Sequence, residues 1–508
     1  MGRKGRKGRG FPYEQEFALR KGVNRDLSPK RPLCPKWSFH IPTKAGENMI
    51  TARISHQIEM LVDEVPDGLF EDIKSDLTLR NPAFDQAIRQ SRSTFKTPEY
   101  IQLWRREINT LVLPRGYGKT LIQRMQEHRI QTQWQDNRLT LTNVKFHSSI
   151  RLRDYQEYAV KALLKSRQGG VVAPCGAGKT MILLEAMARI GQPTLWVTHT
   201  LELAEQVIKR ACEVLDLTED EIGRIYGGQM TIGERFTVAL VQSLSKVDMD
   251  AIRYKFGAIL VDEAHHMAAT TFFHPVGQFP AMYRLWASAT PERSDGLTEM
   301  VFAGAGPILY EIEQDTVPTI TPRLEVIETD FDMHDEEYTK LIGGLIRDDR
   351  RNKLIVQTIV NHALGHYSLV LSDRIEHLEI LHQLIHHALP NLRVELFTGS
   401  LPKVQRRELM ERIQRKEVDL ILATQLAREG LDITHLDRLF LATPKRAAGA
   451  VQQEVGRVMR PEAGKEDAVV FDFWDSRSPI LKAQFWKRRE VYRKLGMDVP
   501  VRRRKEVV

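Results

Sequence analysis

At 508 residues, 42% of them hydrophobic, the chain is long enough for three to four ordinary domains with substantial cores. No run of about eighteen apolar residues occurs, so no helical membrane span is expected, and three cysteines, Cys34, Cys175 and Cys212, are too few and too scattered for a disulfide framework or a cysteine-based zinc site. The net charge of +8 sits at the ends: residues 1–10 carry five basic and no acidic groups, residues 501–508 carry four basic and one acidic, and residues 11–500 sum to zero.

Residues 1–35 repeat Gly, Arg and Lys and then Pro29, Pro32 and Pro35, the composition of a disordered basic tail and lead-in. Such ends add salt-sensitive, sequence-independent affinity for a polyanion. The tail lacks the apolar stretch of a secretory signal, so a cytoplasmic, nucleoid-associated protein is expected. Residues 36–147 read as a mixed α/β accessory domain. Arg53-Ile54-Ser55-His56 looks like a strand remnant, Asn81-Pro82 starts a helix, Leu111-Val112-Leu113 is a strand, and the alternation over 138–146 predicts a final strand. No catalytic constellation is visible there, which suits a DNA-guiding element.

From 148 to 320 short apolar runs alternate with helical patterns: Gly170–Ala173, Thr194–Val197, Thr237–Leu240, Ala258–Val261 and Arg284–Ala287. A second series, over 321–480, comprises Ser368–Leu371, Val394–Phe397, Asp419–Leu422, Leu439–Ala442 and Val469–Asp472. The alternation predicts an α/β protein of two tandem parallel-sheet domains, joined near residues 312–345, with a ligand cleft between them. Residues 481–508 read as a basic C-terminal helix and tail. Trp474, Phe485, Trp486 and Tyr492, interleaved with arginines and lysines, fit either stacking on nucleic acid or packing on the second domain.

The first strand of the series leads into Ala173-Pro174-Cys175-Gly176-Ala177-Gly178-Lys179-Thr180 and an apolar helical pattern, the strand, loop and helix order of a phosphate-binding loop. Gly176 and Gly178 let backbone N–H groups turn inward around phosphates, Lys179 reaches the β- and γ-phosphates, and the Thr180 hydroxyl helps to hold Mg²⁺. Gly118-Lys119-Thr120 repeats the tripeptide, but Pro114 and a single strand-like run precede it, so it is expected to be a structural turn.

Four further stretches complete the chemistry. Asp262 and Glu263 end a buried strand, placing Asp262 to hold Mg²⁺ and Glu263 to orient and deprotonate an attacking water. Gln453, Arg457 and Arg460 are spaced for one helix face, from which arginines delivered to a γ-phosphate are typically worth about 10³ to 10⁵ in rate. Gly430 permits a tight turn and Asp432 bonds a ribose hydroxyl or a neighbouring loop. Gln156, with Arg153 beside it, is placed to read adenine. Ser288-Ala289-Thr290 either relays nucleotide state or is a small-residue turn.

In this order the motifs resemble those of superfamily 2 helicases over residues 150–475, and among them the XPB-like DNA helicases and translocases, including phage UvsW-type enzymes. Arg293-Ser294-Asp295-Gly296 stands where XPB-like proteins carry Arg-Glu-Asp, and Ser294 departs from that pattern. The resemblance implies two RecA-like domains, ATP and Mg²⁺ as cofactors, and DNA-dependent ATP hydrolysis. It also implies 3′→5′ movement on duplex, forked or branched DNA, with DNA contacts at Thr198, His199, Gln242, Ser243, Thr398, Gly399 and Thr424. An RNA helicase and a non-translocating, nucleotide-gated clamp are the alternatives. No nuclease signature is found, and a monomer is expected.

Overall fold

The computed structural model describes residues 49–497, apart from residues 96, 175, 265–274, 290–296, 336, 425–432, 446, 447 and 463; for residues 403, 448, 449 and 453 only the backbone is described. The basic ends, Arg293 to Gly296, and both Gly430 and Asp432 therefore lie outside the described residues.

The first region opens on a hairpin of β1 (Met49–Ile54) and β2 (Gln57–Leu61). The run from Arg53 to His56 is thus not one strand. It is the end of β1 followed by the turn Ser55-His56. α1 (Asp67–Asp76), β3 (Thr78–Arg80), α2 (Pro82–Arg89), β4 (Tyr100–Gln102), β5 (Arg105–Glu107), β6 (Thr110–Pro114), α3 (Gly118–Glu127) and β7 (Gln131–Asp136) follow. Five of these strands form one sheet in the order β5-β6-β2-β1-β7, with β7 parallel to β1. Asn81 caps α2 by accepting the Ala83 N–H at 3.1 Å, and Pro82 occupies the first helical turn, where its missing donor costs nothing.

The strand expected over 138–146 does not form. That segment runs extended along the next region, held by backbone bonds from Leu139 to Pro280, from Met282 to Leu139 and from Val144 to Gly191. Its alternation comes from lying on a surface with one side covered, which gives a strand's pattern without a strand's partners.

The second region comprises α4 (Asp154–Ser166), β8 (Gln168–Val172), α5 (Lys179–Ile190), β9 (Thr194–Thr198), α6 (Leu201–Val214), β10 (Ile222–Tyr226), β11 (Gln229–Met230), β12 (Phe236–Leu240), α7 (Val241–Leu244), α8 (Met249–Ile252), β13 (Ala258–Asp262), β14 (Tyr283–Ser288), α9 (Thr298–Ala305) and β15 (Ile308–Glu311). Its sheet runs β11-β10-β12-β9-β13-β14-β8-β15, and every pairing is parallel except the β10–β11 hairpin. All residues of β9 and β13 are buried, as strands covered on both faces must be. Gly170 is required by packing: a Cβ there would lie 1.9 Å from Cδ2 of Trp286, whose Nε1 donates to the Gly306 carbonyl.

The third region contains β16 (Arg323–Glu328), α10 (Tyr338–Ile346), α11 (Asp349–His362), β17 (Ser368–Leu371), α12 (Ile375–Ala388), β18 (Val394–Phe397), α13 (Lys403–Gln414), β19 (Leu420–Ala423), β20 (Arg438–Leu441), α14 (Ala448–Val458), β21 (Val469–Trp474) and α15 (Pro479–Lys494). Its six strands, in the order β16-β21-β20-β17-β19-β18, are all parallel. The stretch expected to be a joint, 312–345, supplies β16 and most of α10. The charged residues of Arg-Leu-Glu-Val-Ile-Glu hid an edge strand that pairs with β21.

α15 packs on this sheet. Phe485 and Tyr492 are fully buried, Phe485 stacks on Trp474, and Asp472 accepts two bonds from Arg488 and one from the Tyr492 hydroxyl. Of the four aromatics only Trp486 is substantially exposed, at 44%. Packing, rather than stacking on a ligand, accounts for the other three.

Candidate nucleotide site at the cleft between the two sheets

The glycine-rich loop leaves the carboxyl end of β8, where the Ala173 N–H donates to the Ser288 carbonyl of β14. Gly176 and Gly178 both take left-handed backbone angles, with φ of 84° and 80°, and Gly178 caps α5. A side chain at Gly178 would be strained by that angle and would bring its Cβ within 2.5 Å of the Gln156 amide nitrogen. Gln156 itself is buried. Its oxygen accepts the Arg153 N–H and its nitrogen donates to the Ala177 carbonyl at 2.8 Å. It therefore ties the start of α4 to the loop, and sequence reasoning missed that role. Arg153 is exposed and its guanidinium donates to the Tyr155 hydroxyl.

β13 brings the acids to the same edge. The Lys179 ammonium lies 3.5 Å from a Glu263 carboxylate oxygen, and Asp262 accepts the Glu263 N–H at 3.0 Å. Glu263 stands at φ 52°, a left-handed angle that costs a residue with a side chain roughly 1–3 kcal/mol and that clusters at functional sites. Burial, with the neighbouring Glu263 charge, raises the Asp262 carboxyl to about 6, while Lys179 opposes the shift. Two adjoining carboxylates faced by one lysine form a site short of positive charge, and oxygen donors from Asp262 and the partly buried Thr180 suit a hard divalent cation such as Mg²⁺.

The third region reaches the loop from across the cleft. Cγ of Arg460 lies 3.9 Å from where a Cβ on Gly176 would sit. Arg460 is not on the helix face that its spacing suggested, because α14 ends at Val458. The half-buried Lys465 ammonium donates to the Val458 and Arg460 carbonyls, at 2.6 and 2.9 Å, and so closes the helix end and holds the chain that carries Arg460. Arg457 occupies the last turn of α14 and is half-buried. Gln453 lies in the same helix, its side chain outside the described residues.

The residues expected to touch DNA also gather at the carboxyl ends of the strands. Gln242, exposed on α7, donates to the His199 carbonyl, and Ser243 beside it is half-buried. Thr198, Thr398 and Thr424 are buried, at 0, 5 and 7% exposure, so their hydroxyls do not face solvent in this conformation; Thr398 pairs with Ser400. Gly399 is exposed, and its carbonyl accepts from Arg406 of α13, which also ion-pairs with Glu202 of α6. That pair, unannounced by any sequence pattern, joins the segment after His199 to the segment after Gly399 across the cleft.

Two protein-family descriptions match the chain: the res subunit of type III restriction enzymes over residues 149–293, and the helicase conserved C-terminal domain over 350–462. Together they account for just over half of it. A protein of Acanthamoeba polyphaga mimivirus, named as a candidate ATP-dependent RNA helicase, is 28% identical over 68% of this chain and 69% of its own length. The DNA 3′-5′ translocase XPB2 of Sulfurisphaera tokodaii is 37% identical over 32% of this chain and 36% of its own length. The chain thus spans between about a third and two thirds of these relatives. Among solved structures, S. cerevisiae Dbp5 bound to RNA and ADP BeF3 shares the fold with a TM-score of 0.51 at 15% identity, over 69% of this chain and 89% of Dbp5. Two tandem RecA-like sheets, matched in order by these two domains and meeting at one glycine-rich loop, make the chain a member of the superfamily 2 helicases.

Proposed function

We propose that the chain is an ATP-dependent DNA helicase or translocase that couples hydrolysis to 3′→5′ movement on duplex, forked or branched DNA. The observation that carries this reading is the convergence of Lys179, Asp262 and Glu263 from one sheet with Arg460 from the other. Lys179 exchanges its partner Glu263 for the β- and γ-phosphates, which frees Glu263 to take a proton from the attacking water. Thr180 and Asp262 would hold Mg²⁺, which supplies charge withdrawal at the phosphates. Arg460 stabilises the charge of the transferring phosphoryl group only when the two sheets are closed, so hydrolysis and domain closure become one event.

The XPB-type relative, named as a DNA translocase, favours DNA as the track. We divide the chain into an accessory domain (36–147), two motor domains (148–320 and from 321), and basic ends, with α15 counted in the second motor domain because it is buried there. Both halves of the site come from one chain, which makes a monomer the working unit. A DNA motor of this kind is placed at the nucleoid.

Purified protein should hydrolyse ATP with strong stimulation by DNA and displace a third strand from a DNA triplex, and Lys179→Ala should lose both activities. ATP hydrolysis indifferent to nucleic acid, or retained in Lys179→Ala, overturns the reading. The mimivirus relative gives a second reading, RNA as the track; stimulation by RNA well above that by matched DNA would establish it.

A further inference from the structure

Away from the nucleotide cleft, a cavity of about 640 Å³ lies where the accessory domain meets the first motor domain, lined among others by Gln102, Trp104, Arg105, Arg115 and Arg284. Arg115 comes from the turn after β6, and Arg284 stands at the amino end of β14. The glycine-rich loop leaves the carboxyl end of the neighbouring strand, so the cavity and the nucleotide site lie at opposite ends of these strands, about 17 Å apart along β14.

Both arginines are 1–2% exposed, and among the described residues neither has a carboxylate partner. Arg115 donates to the Gln168 side chain and to the carbonyls of Ser55, Ala281 and Met282. Arg284 donates to the carbonyls of Gly304, His56, Gly277 and Phe279, and its buried Nε has no partner among the described residues. The nearby acids are engaged elsewhere, Asp136 with Arg138 and Glu59 with Gln57. Carbonyl dipoles satisfy geometry but do not cancel net charge, and a buried guanidinium without an anion is costly. Burial and the repulsion of Arg284 hold Arg115 well below its ordinary pKa, and burial and Arg284 likewise lower His56 on the cavity wall.

We infer that this cavity is an oxyanion site for a phosphate group, received by the Arg284 Nε–H and the uncompensated charge of the Arg115–Arg284 pair. Each guanidinium carries five N–H donors, so the eight protein acceptors still leave donors for a ligand that brings two or three oxygens. The shared chemistry is a phosphate oxyanion. Its two sources are the backbone of DNA lying on the accessory domain and a free phosphate compound.

The test uses the full chain carrying Lys179→Ala, which weakens the competing grip of the nucleotide site, and titrates it calorimetrically with pyrophosphate at constant ionic strength. One pyrophosphate should bind per chain. Gln102→Glu adds a negative charge on the exposed wall without touching either buried arginine, and should weaken binding about tenfold or more, while Gln102→Ala should leave it unchanged. No binding above the chloride background, or equal affinity in Gln102→Glu and Gln102→Ala, overturns the proposal, since residual binding at the distant nucleotide loop would not respond to position 102. With the site established, a DNA duplex that displaces pyrophosphate identifies the backbone as the source, and one that leaves it bound identifies a free phosphate compound.

Discussion

Gly118-Lys119-Thr120 and Gly178-Lys179-Thr180 are the same tripeptide at the start of a helix, yet only the second has the surroundings on which the proposed nucleotide site rests. Gly118 has ordinary helical angles and follows a single turn of 3₁₀ helix, Arg115 to Tyr117, whereas Gly178 is left-handed and follows a buried parallel strand. Lys119 is exposed, while Lys179 faces Glu263. The glycine that matters near the first copy is Gly116, where a Cβ would lie 2.1 and 2.4 Å from the carbonyl oxygens of Phe302 and Ala303. The tripeptide expected to be a structural turn is instead the first turn of α3, and the turn lies just before it, at 115–117. The difference teaches that the motif's chemistry is conferred by the preceding strand, the backbone angle and the opposing acids, not by the three residues.

The comparison breaks most sharply at the lysines. Lys179→Ala should abolish nucleotide-dependent activity, and Lys119→Ala should leave kcat and KM at wild-type values; a loss in Lys119→Ala, measured by steady-state ATPase, would make the two copies functionally alike. Glu263→Gln should lower kcat by about 10² to 10⁴-fold while ATP still binds, as single-turnover assays with separate nucleotide-binding titrations would reveal. At Gly116 the expected loss is one of stability. Gly116→Ala should cost about 3 kcal/mol in denaturant unfolding, because backbone rather than a yielding side chain blocks the Cβ, with ATPase per folded molecule unchanged.

The smallest effect concerns Asp262. Folding raises its carboxyl from 3.8 to about 6, so between those values the native state holds more protons than the unfolded chain, and stability falls as pH rises through that window. Without nucleotide, Asp262→Asn should therefore be more stable than wild type by roughly 1–3 kcal/mol above pH 6, a gain that disappears near pH 4. Thermal melts across that range check the sign.

The parallel strands were legible because burial on both faces makes them continuous apolar runs, and their ends could be placed within a residue or two. In the two parallel sheets the strands that escaped notice sit at or next to an edge: β15 and β16 are edge strands with charged or half-exposed residues, β11 is an edge strand of only two positions, and β10, with its glycine and arginine, lies beside it. At the site, the sequence named Lys179, Asp262 and Glu263 because each follows a readable strand. It misplaced Arg460, since helical spacing says nothing of where α14 stops, and it could not show Lys465, Arg406 with Glu202, or the loop-bracing bonds of Gln156, which exist only through contacts between distant segments. The buried arginines 115 and 284 were invisible for the same reason, each looking in sequence like an ordinary surface charge.

The central claim is that the nucleotide site is completed across the cleft by Arg460, and its most direct measurement is single-turnover ATP hydrolysis by Arg460→Ala in saturating DNA. The account predicts a loss of about 10³-fold or more in the hydrolysis step, with ATP affinity within a few-fold of wild type. Wild-type hydrolysis in that variant would show that the first motor domain alone holds the working site.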